Sequence, residues 1–230
     1  STVTNFSNTG LLANTTYQYR VRANDAAGNL SGYSNVVSIA TSRPIISTGF
    51  LNPLATAAVT SGSGDNNGYE VNPANATTDG STFSTDANSG TSTTDSCTST
   101  GKDRHVFRNY GITIPTGASI RGIQVRLDAW VDALTTTSLL TTVQNLPRIC
   151  VEVSWNGGAN WVTAKSTGTL TTSQATYILG STTDSWARTW GASDFSDANF
   201  RIRITDVATN TGANNRDFFL DWVGVQVTYQ

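Results

Sequence analysis

One short segment near the start of the chain limits the folds available to it, because residues 11–41 read as strands but are too few to enclose a core. Apolar or aromatic side chains alternate with polar ones over residues 17–23, which is the period of a half-buried β-strand. A turn is predicted at residues 25–29, where Gly28 and Asn29 suit positive φ, and residues 36–39 predict the return strand. Sheets of two or three strands are marginal in water, so we expect further strands to complete this one.

The identities in this segment resemble the E, F and G strands of a fibronectin type III domain. The matching residues are Leu12, the run Tyr17-x-Tyr-x-Val-x-Ala and the later run Asp25-x-x-Gly-Asn-x-Ser. The A, B and C strands of that family have no counterpart here. The family is a scaffold, so the resemblance implies linkage between extracellular modules rather than chemistry. The missing strands are expected either from another chain or from residues upstream of Ser1.

Composition excludes two classes of partner. Charged residues make up 13% of the chain and the formal net charge is −2, which gives no overall basic field for nucleic acid. No run approaches 18 apolar residues, so membrane insertion is not expected. The abundance of Ser, Thr, Asn and Gly is typical of secreted, β-rich surface proteins, and we predict an extracellular or cell-surface location.

The chain has two cysteines, Cys97 and Cys150. In an extracellular protein an even number of cysteines indicates disulfide pairing. The alternative is a pair of unrelated buried thiols. Neither cysteine belongs to a CxxC pair, and the only histidine is His105, so the two do not read as a metal site.

Downstream of residue 54 the sequence predicts a series of short strands separated by turn residues. The clearest is residues 119–131, in which Ile120, Ile123, Val125, Leu127 and Ala129 are inward candidates. Other strands are expected at 105–114, 147–155, 161–164, 175–179, 200–205 and 218–228. One helical turn is expected at 192–198 with Ser193 as its cap. Many short strands with turns between them predict a β-sandwich or jelly roll.

Three blocks in this region resemble uncharacterised phage structural proteins and bacterial surface proteins. The central block is IPTGASIRGIQV at residues 114–125, similar to a pattern IPxGAxIxGIxV. The others lie at residues 72–81 and between Trp190 and Tyr229. The resemblance implies a galactose-binding-like jelly roll, as in carbohydrate-binding modules. We therefore predict an all-β protein with a partial fibronectin type III sandwich (1–42), a linker (43–53) and a jelly-roll β-sandwich (54–230).

The same jelly-roll resemblance implies one structural calcium ion. In that pattern an Asp-Gly turn meets a carboxylate from the last strand, which Asn75, Asp79 and Asp221 fit, and Ca²⁺ prefers oxygen ligands of this kind. The alternative is that Asp79 caps an ordinary turn while Asp221 pairs with an arginine such as Arg121.

Two aromatic motifs need separate interpretations. Trp186 and Trp190 lie in one loop and either form a platform that stacks on sugars or anchor that loop to the core, which we favour. Residues 154–161 read SWNGGANW and resemble an Asp-box hairpin, with Asn156 in place of the Asp. There the Asn-Gly-Gly run predicts a tight turn, and we expect the tryptophans to pack on the core.

Catalysis has little support in the sequence. A Ser-His-Asp arrangement would need His105, and the only glutamates are Glu70 and Glu152, so paired carboxylates for glycoside cleavage cannot be assigned. We predict a non-catalytic extracellular structural or adhesive module, a subunit of a surface appendage, fibre or virion-like assembly. Its partners would be copies of itself or other surface-protein domains. The alternative is a carbohydrate-binding module of a secreted glycoside hydrolase, with a glycan as ligand.

Overall fold

The computed structural model describes residues 5–89, 96–137, 142–144, 146–208 and 216–230. Within these residues the protein is all-β, with strands and two short 3-10 helices. The chain divides into two compact units. The first ends at Ile46 and includes Gln230, and the second is Ser47–Tyr229. Among the described residues no helix has the length and apolarity needed to cross a bilayer.

The first unit is a single β-hairpin. Strands β1 (Thr16–Tyr19) and β2 (Val37–Ala40) pair antiparallel, and the ladder is continued by a bridge between Asn24 and Leu30. The predicted turn is present: Asp25 Oδ1 accepts hydrogen bonds from the backbone N–H groups of Ala27 and Asn29, at 3.0 and 2.8 Å. These bonds explain why the sequence turns there, since a short Asp side chain mimics a backbone acceptor.

The apolar side chains of this hairpin lie in solvent. Tyr17 and Tyr19 are half-buried, as the alternating pattern predicts. By contrast, Val37 and Ile39 of the return strand are 63% and 60% exposed. A hairpin that exposes this much apolar surface gains little from the hydrophobic effect, so the hairpin has no core of its own among the described residues.

The second unit contains the remaining strands. Strand β3 (Ile46–Ser47) begins one residue before this unit starts. The others are β4 (Ala55–Ala58), β5 (Ser84–Ser89), β6 (Arg104–Arg108), β7 (Ile120–Val131), β8 (Thr135–Thr137), β9 (Thr142–Gln144), β10 (Arg148–Ser154), β11 (Lys165–Ser166), β12 (Ala175–Gly180), β13 (Arg201–Val207) and β14 (Arg216–Tyr229). The 3-10 helices are Pro73–Ala76 and Ala192–Phe195.

These strands form two main sheets. The first has the order β11-β10-β13-β6-β4, and the second has the order β12-β7-β14-β3, with β5 also pairing with β14. Part of the segment predicted as a linker belongs to this unit, because Thr48 and Leu51 donate backbone hydrogen bonds to Val227 and Val225. The predicted strand at 161–164 is not formed. The backbone there follows the tight turn of the preceding hairpin. The Val162 N–H donates one hydrogen bond to Val153 O of β10, and regular pairing with β10 is limited to Lys165–Ser166.

The core lies between the two sheets and follows the period-two pattern. Ile123, Val125, Leu127 and Ala129 of β7 are all fully buried, while Ile120 is only partly buried, beside a register irregularity at Tyr229. Ile202 and Ile204 of β13 face them from the first sheet. Each such side chain contributes about 1.5–3 kcal/mol by leaving water. The predicted β-sandwich is confirmed.

Two local predictions have different outcomes. The disulfide is confirmed: Cys97 and Cys150 are bonded, with Cα atoms 5.6 Å apart, and join the loop before β6 to the middle of β10. The helical turn is present as Ala192–Phe195, but its predicted cap is wrong. Gly191 is the N-cap residue, and its N–H donates to Asp194 Oδ2 at 3.0 Å. Ser193 lies inside the turn because the N-cap position is already occupied by Gly191, two residues earlier in the chain.

Candidate functional site

The hairpin that follows β10 presents two tryptophans at one edge of the first sheet. Ser154 Oγ accepts the N–H of Gly158 at 2.9 Å, and Asn156 Oδ1 accepts the N–H of Asn160 at the same distance. Gly157 and Gly158 both have positive φ, which favours glycine at each position. The tight turn is therefore confirmed. Trp155 packs partly against the core, while Trp161 is half-exposed.

A pocket of about 310 Å³ opens beside Trp161, and we call it the basic pocket. Its floor is the outer face of β4, β6 and β13. The residues that line it are Ala57, Val59, Val106, Arg108, Gly157, Gly158, Trp161, Arg201 and Arg203. It combines an indole ring with guanidinium donors, two groups that suit a polar, ring-shaped ligand.

Two of the three arginines of the basic pocket are held in place by neighbouring groups. The Arg203 guanidinium lies 4.3 Å from the Trp161 ring centroid, and its Nε donates to Glu152 Oε2 at 2.7 Å. Arg201 donates to the backbone oxygens of Asp197 and Ala198. Arg108, by contrast, is exposed.

A second pocket of about 280 Å³ adjoins the first at Trp161, and we call it the tryptophan pocket. Trp155, Trp186 and Arg188 also line it. The Arg188 guanidinium lies 3.9 Å from the Trp155 ring centroid. Trp161 lines both pockets, and we call the two pockets together the Trp161 groove.

The loop that carries Arg188 is strained. Trp186 and Ala187 both have φ of 54°, a left-handed conformation that is costly for residues other than glycine and is concentrated at functional sites. Hydrogen bonds stabilise it, because the Trp186 N–H donates to Asp184 Oδ1 at 2.8 Å and the Trp186 Nε1 donates to Ile123 O at 3.0 Å. The strain therefore persists in a well-fixed loop at the edge of the groove.

The two tryptophans singled out in the sequence are mostly buried. Trp186 is 3% exposed and Trp190 is 6% exposed, and Trp190 Nε1 donates to Ser185 O at 2.7 Å. Both rings anchor their loop, which is the favoured alternative, and neither offers the open ring face that stacking on a sugar needs. Trp155 and Trp161 are the more accessible pair. The sequence signal for them was the Asn-Gly-Gly turn, which projects its flanking residues from the sheet.

A second group of aromatic side chains lies on the outer face of the other sheet. Trp130 and Phe219 are cross-strand partners whose rings stack with centroids 5.2 Å apart. Phe83 meets both rings edge-on and is 42% exposed. This patch is a competing candidate for ligand binding.

An acidic cluster joins the predicted calcium residues Asp79 and Asp221, together with Asp128 of β7, which the sequence did not indicate. One carboxylate oxygen of each lies within 4.8 Å of the others. Arg126 Nη2 lies 2.7 Å from Asp128 Oδ2 and 3.5 Å from Asp79 Oδ2. The third predicted ligand, Asn75, donates through Nδ2 to Phe83 O at 2.9 Å, which fixes the loop that carries Asp79.

Asp221 is the most buried carboxylate of this cluster. It is 1% exposed, and its Oδ1 has no hydrogen-bond partner of normal geometry among the described residues. Burial raises the pKa of Asp221, and the charges of Asp79 and Asp128 raise it further, against hydrogen bonds from the Gln174 side chain and the Gly80 backbone. The arginine beside the cluster is Arg126 rather than Arg121. A divalent cation would satisfy this carboxylate and offset the remaining negative charge.

His105 has no access to either candidate site. It is 2% exposed, its Nδ1 accepts the Tyr69 N–H at 3.1 Å, and burial lowers its pKa to about 4. The ring is therefore neutral at physiological pH and serves as an acceptor in the interior.

No protein-family model and no curated protein sequence matches this chain. One similar solved structure is the CBM22-1–GH10 module pair of Clostridium thermocellum endo-1,4-β-D-xylanase 10B in complex with xylohexaose, at 13% identity and a TM-score of 0.35, covering 79% of this chain and 26% of that one. Another comes from work on promiscuous carbohydrate-binding modules of the β-sandwich superfamily, at 9% identity and a TM-score of 0.27, covering 91% of this chain and 73% of that one. The chain thus spans about a quarter of the first structure. Likeness at these TM-scores does not assign a ligand to this chain.

Proposed function

We propose that this protein is a non-catalytic extracellular module that binds glycans in the Trp161 groove. The observation that carries the proposal is the half-exposed Trp161, which lies where two pockets meet and is surrounded by fixed hydrogen-bond donors. Sugar rings combine apolar faces with hydroxyl groups, so an indole ring beside guanidinium groups matches their chemistry. The disulfide supports an extracellular location, since such bonds persist in oxidising compartments.

The structure also supports a rigid groove. Trp161 is supported by Arg203, which is itself fixed by Glu152. On the opposite side the Trp155 ring is covered by Arg188, which contacts Asp194 at 3.3 Å. A preformed site loses less conformational entropy when it binds a ligand than a mobile one does.

Replacement of Trp161 by alanine tests the proposed function. We expect W161A to weaken glycan binding at least about tenfold, because buried or stacked tryptophans dominate binding energy at such sites. The measurement is affinity electrophoresis on gels that contain xylan, β-glucan, polygalacturonate or chondroitin sulfate, followed by calorimetry with the best ligand.

The matched control is W130A, which removes the same side chain from the aromatic patch on the other sheet. W130A should bind normally, and both variants should keep the melting temperature close to that of the parent. If W130A loses binding and W161A does not, the site assignment is wrong. If the parent protein is retarded on none of the four gels, the proposed function is wrong.

We also propose that the acidic cluster holds one structural calcium ion, as the jelly-roll resemblance implies. An ion that binds only the folded state at a hundred times its dissociation constant stabilises it by about 2.7 kcal/mol. Excess chelator is therefore expected to lower the melting temperature by several degrees, and added Ca²⁺ should restore it. Differential scanning fluorimetry measures both.

The variant for this prediction is D79N, because Asp79 is exposed and its loss leaves the core intact. D79N should melt at the same temperature with and without chelator. The exposed Asp65, which lies outside the cluster, provides the control, since D65N should keep the full response. An unchanged melting temperature of the parent protein in chelator would mean that Arg126 alone neutralises the cluster.

A second candidate function is structural, and the exposed face of the β1–β2 hairpin favours it. The apolar side chains there and the unpaired edges of a two-stranded sheet invite the addition of further strands. Strands donated by a neighbouring copy would make a head-to-tail joint, and a joint of this type that does not close generates a filament. Electron microscopy of native material separates the two candidates, since filaments support the structural function and single particles count against it.

A further inference from the structure

The outer face of the first sheet carries like charges on neighbouring strands. Arg108 of β6 and Arg201 of β13 are directly opposite each other in the ladder. Arg104 is opposite Thr205 and Arg203 is opposite Val106, so Arg104 and Arg203 are diagonal neighbours two residues apart in register. Like charges placed across a ladder are destabilising. Repulsion between these arginines therefore destabilises the sheet, and a bound anionic ligand would reduce that repulsion.

Repulsion from a neighbouring arginine contributes to the lowered pKa values of Arg201 and Arg104. Burial lowers the pKa of Arg201, and the charge of Arg108 lowers it further, while the charge of Asp197 opposes both. Burial likewise lowers the pKa of Arg104, with a further decrease from Arg203 that Glu152 opposes. Among the described residues that line the basic pocket none is a carboxylate. Arg203 is nevertheless paired with Glu152 at 2.7 Å, and the charge of Asp197 acts on Arg201, so Arg108 is the arginine of this pocket without a carboxylate partner among the described residues.

The arginines differ in how many of their guanidinium N–H groups remain available to a ligand. Arg104 donates to the backbone oxygens of Gly62 and Ser99, and Arg201 and Arg203 are fixed as described above. Arg108 is exposed at the mouth of the pocket, and no hydrogen bond or ion pair involves its guanidinium among the described residues. A free planar guanidinium matches one planar carboxylate through two parallel hydrogen bonds.

We propose that the Trp161 groove is specific for acidic polysaccharides built from hexuronic acids, with Arg108 as the residue that recognises the carboxylate. This specificity rests on the proposed glycan-binding function. Trp161 stacks on the pyranose ring, and Arg108 pairs with the carboxylate at the sugar C5 position. One free guanidinium beside one ring suits one carboxylate per sugar. The net charge of −2 disfavours long-range attraction to any polyanion, so affinity for a polyuronate would come from local pairing at Arg108.

The test compares the parent protein and three variants on three classes of ligand. The variant is R108A. The control is R20A, which removes the same charge from an exposed arginine of the β1–β2 hairpin. R108K keeps the charge but loses the planar fork. The ligands are polygalacturonate, neutral xylohexaose, and two polymers without carboxylates, dextran sulfate and single-stranded DNA.

We expect the parent protein to bind polygalacturonate more tightly than the other ligands, with affinity that falls as salt is added. R108A should lose about tenfold or more of this affinity, R108K should recover part of it, and R20A should lose none. Equal melting temperatures of the three variants would show that folding is intact.

Two outcomes would overturn the specificity while leaving glycan binding in place. One is tighter binding of xylohexaose than of polygalacturonate, with R108A equal to the parent. The other is a preference for dextran sulfate, which carries sulfates but no carboxylates, over polygalacturonate. Binding to DNA alone, or to none of the ligands, would overturn the proposed function as well.

Discussion

Loss of the Cys97–Cys150 disulfide is expected to lower the free energy of unfolding by about 4 kcal/mol. The two residues are 53 positions apart, and the chain-entropy estimate for a loop of that length gives this magnitude. The double variant C97A/C150A avoids a new polar group at Cys150, which is 1% exposed. Urea denaturation of the parent and the double variant measures the difference.

The same experiment reports on the mechanism of this stabilisation. If the bond acts by restricting the unfolded chain, its loss should also increase the denaturant slope, because the unfolded state becomes less compact. Reduction of the parent protein by dithiothreitol should reproduce the loss without any substitution. A double variant as stable as the parent would contradict the prediction.

The local patterns predicted much of the fold. Alternation along β7 identified Ile123, Val125, Leu127 and Ala129 as core residues, and all four are fully buried. Asp25 and the Asn-Gly-Gly run predicted turns, which form because their side chains and glycines satisfy local backbone requirements. These features depend on neighbours in sequence, so the sequence alone was sufficient to predict them.

The candidate sites depended on contacts between distant residues and were predicted only in part. Asp79 and Asp221 were expected to meet, but Asp128 joins them only because β7 pairs with β14 in one register. The Trp161 groove was missed, since whether a tryptophan beside a turn is buried or exposed depends on the loop that packs above it. For the same reason Trp186 and Trp190 could not be separated from surface aromatics by pattern alone.

The sequence patterns also did not predict a cluster of buried carboxyl groups. Asp86 of β5 and Asp206 of β13 are each at most 1% exposed, and the Tyr69 hydroxyl donates to Asp206 Oδ1 at 3.1 Å. Asp103 and Lys102 are buried nearby, and Lys102 Nζ donates to Ala208 O. These residues come from both sheets, and three of them lie in polar segments that read as loops or edges.

This cluster predicts a stability that falls as the pH rises from about 6.5 to 8.5. Burial raises the pKa of Asp206 to about 8, with further increases from Asp103 and Glu70, against hydrogen bonds from Asp86 and Tyr69. Burial, followed by the charges of Asp206 and Asp103, raises the pKa of Asp86 well above its ordinary value. The folded protein therefore holds protons that the unfolded chain, with a carboxyl pKa near 3.8, has already released.

The sign of the effect follows from this difference. Where the folded state binds more protons than the unfolded state, the free energy of unfolding decreases with pH. The contribution of these carboxyls is complete below the unfolded pKa and is lost as the pH rises through the folded value. His105 acts in the opposite direction, since its lowered pKa makes stability increase between about pH 4 and 6.5. Above pH 6.5 His105 no longer changes the free energy of unfolding, so the decrease caused by the buried carboxyls should be observed without opposition.

The D206N variant isolates the cause. Asparagine keeps an oxygen that accepts the Tyr69 hydroxyl and carries no charge at any pH, so D206N should show a much flatter decrease in melting temperature between pH 6.5 and 8.5. The exposed Asp197, which lies outside the cluster, supplies the control, because D197N should retain the slope of the parent protein. A parent protein whose melting temperature is constant or rises over this interval would contradict the prediction, because it would show that the buried carboxyls do not hold these protons in the folded state.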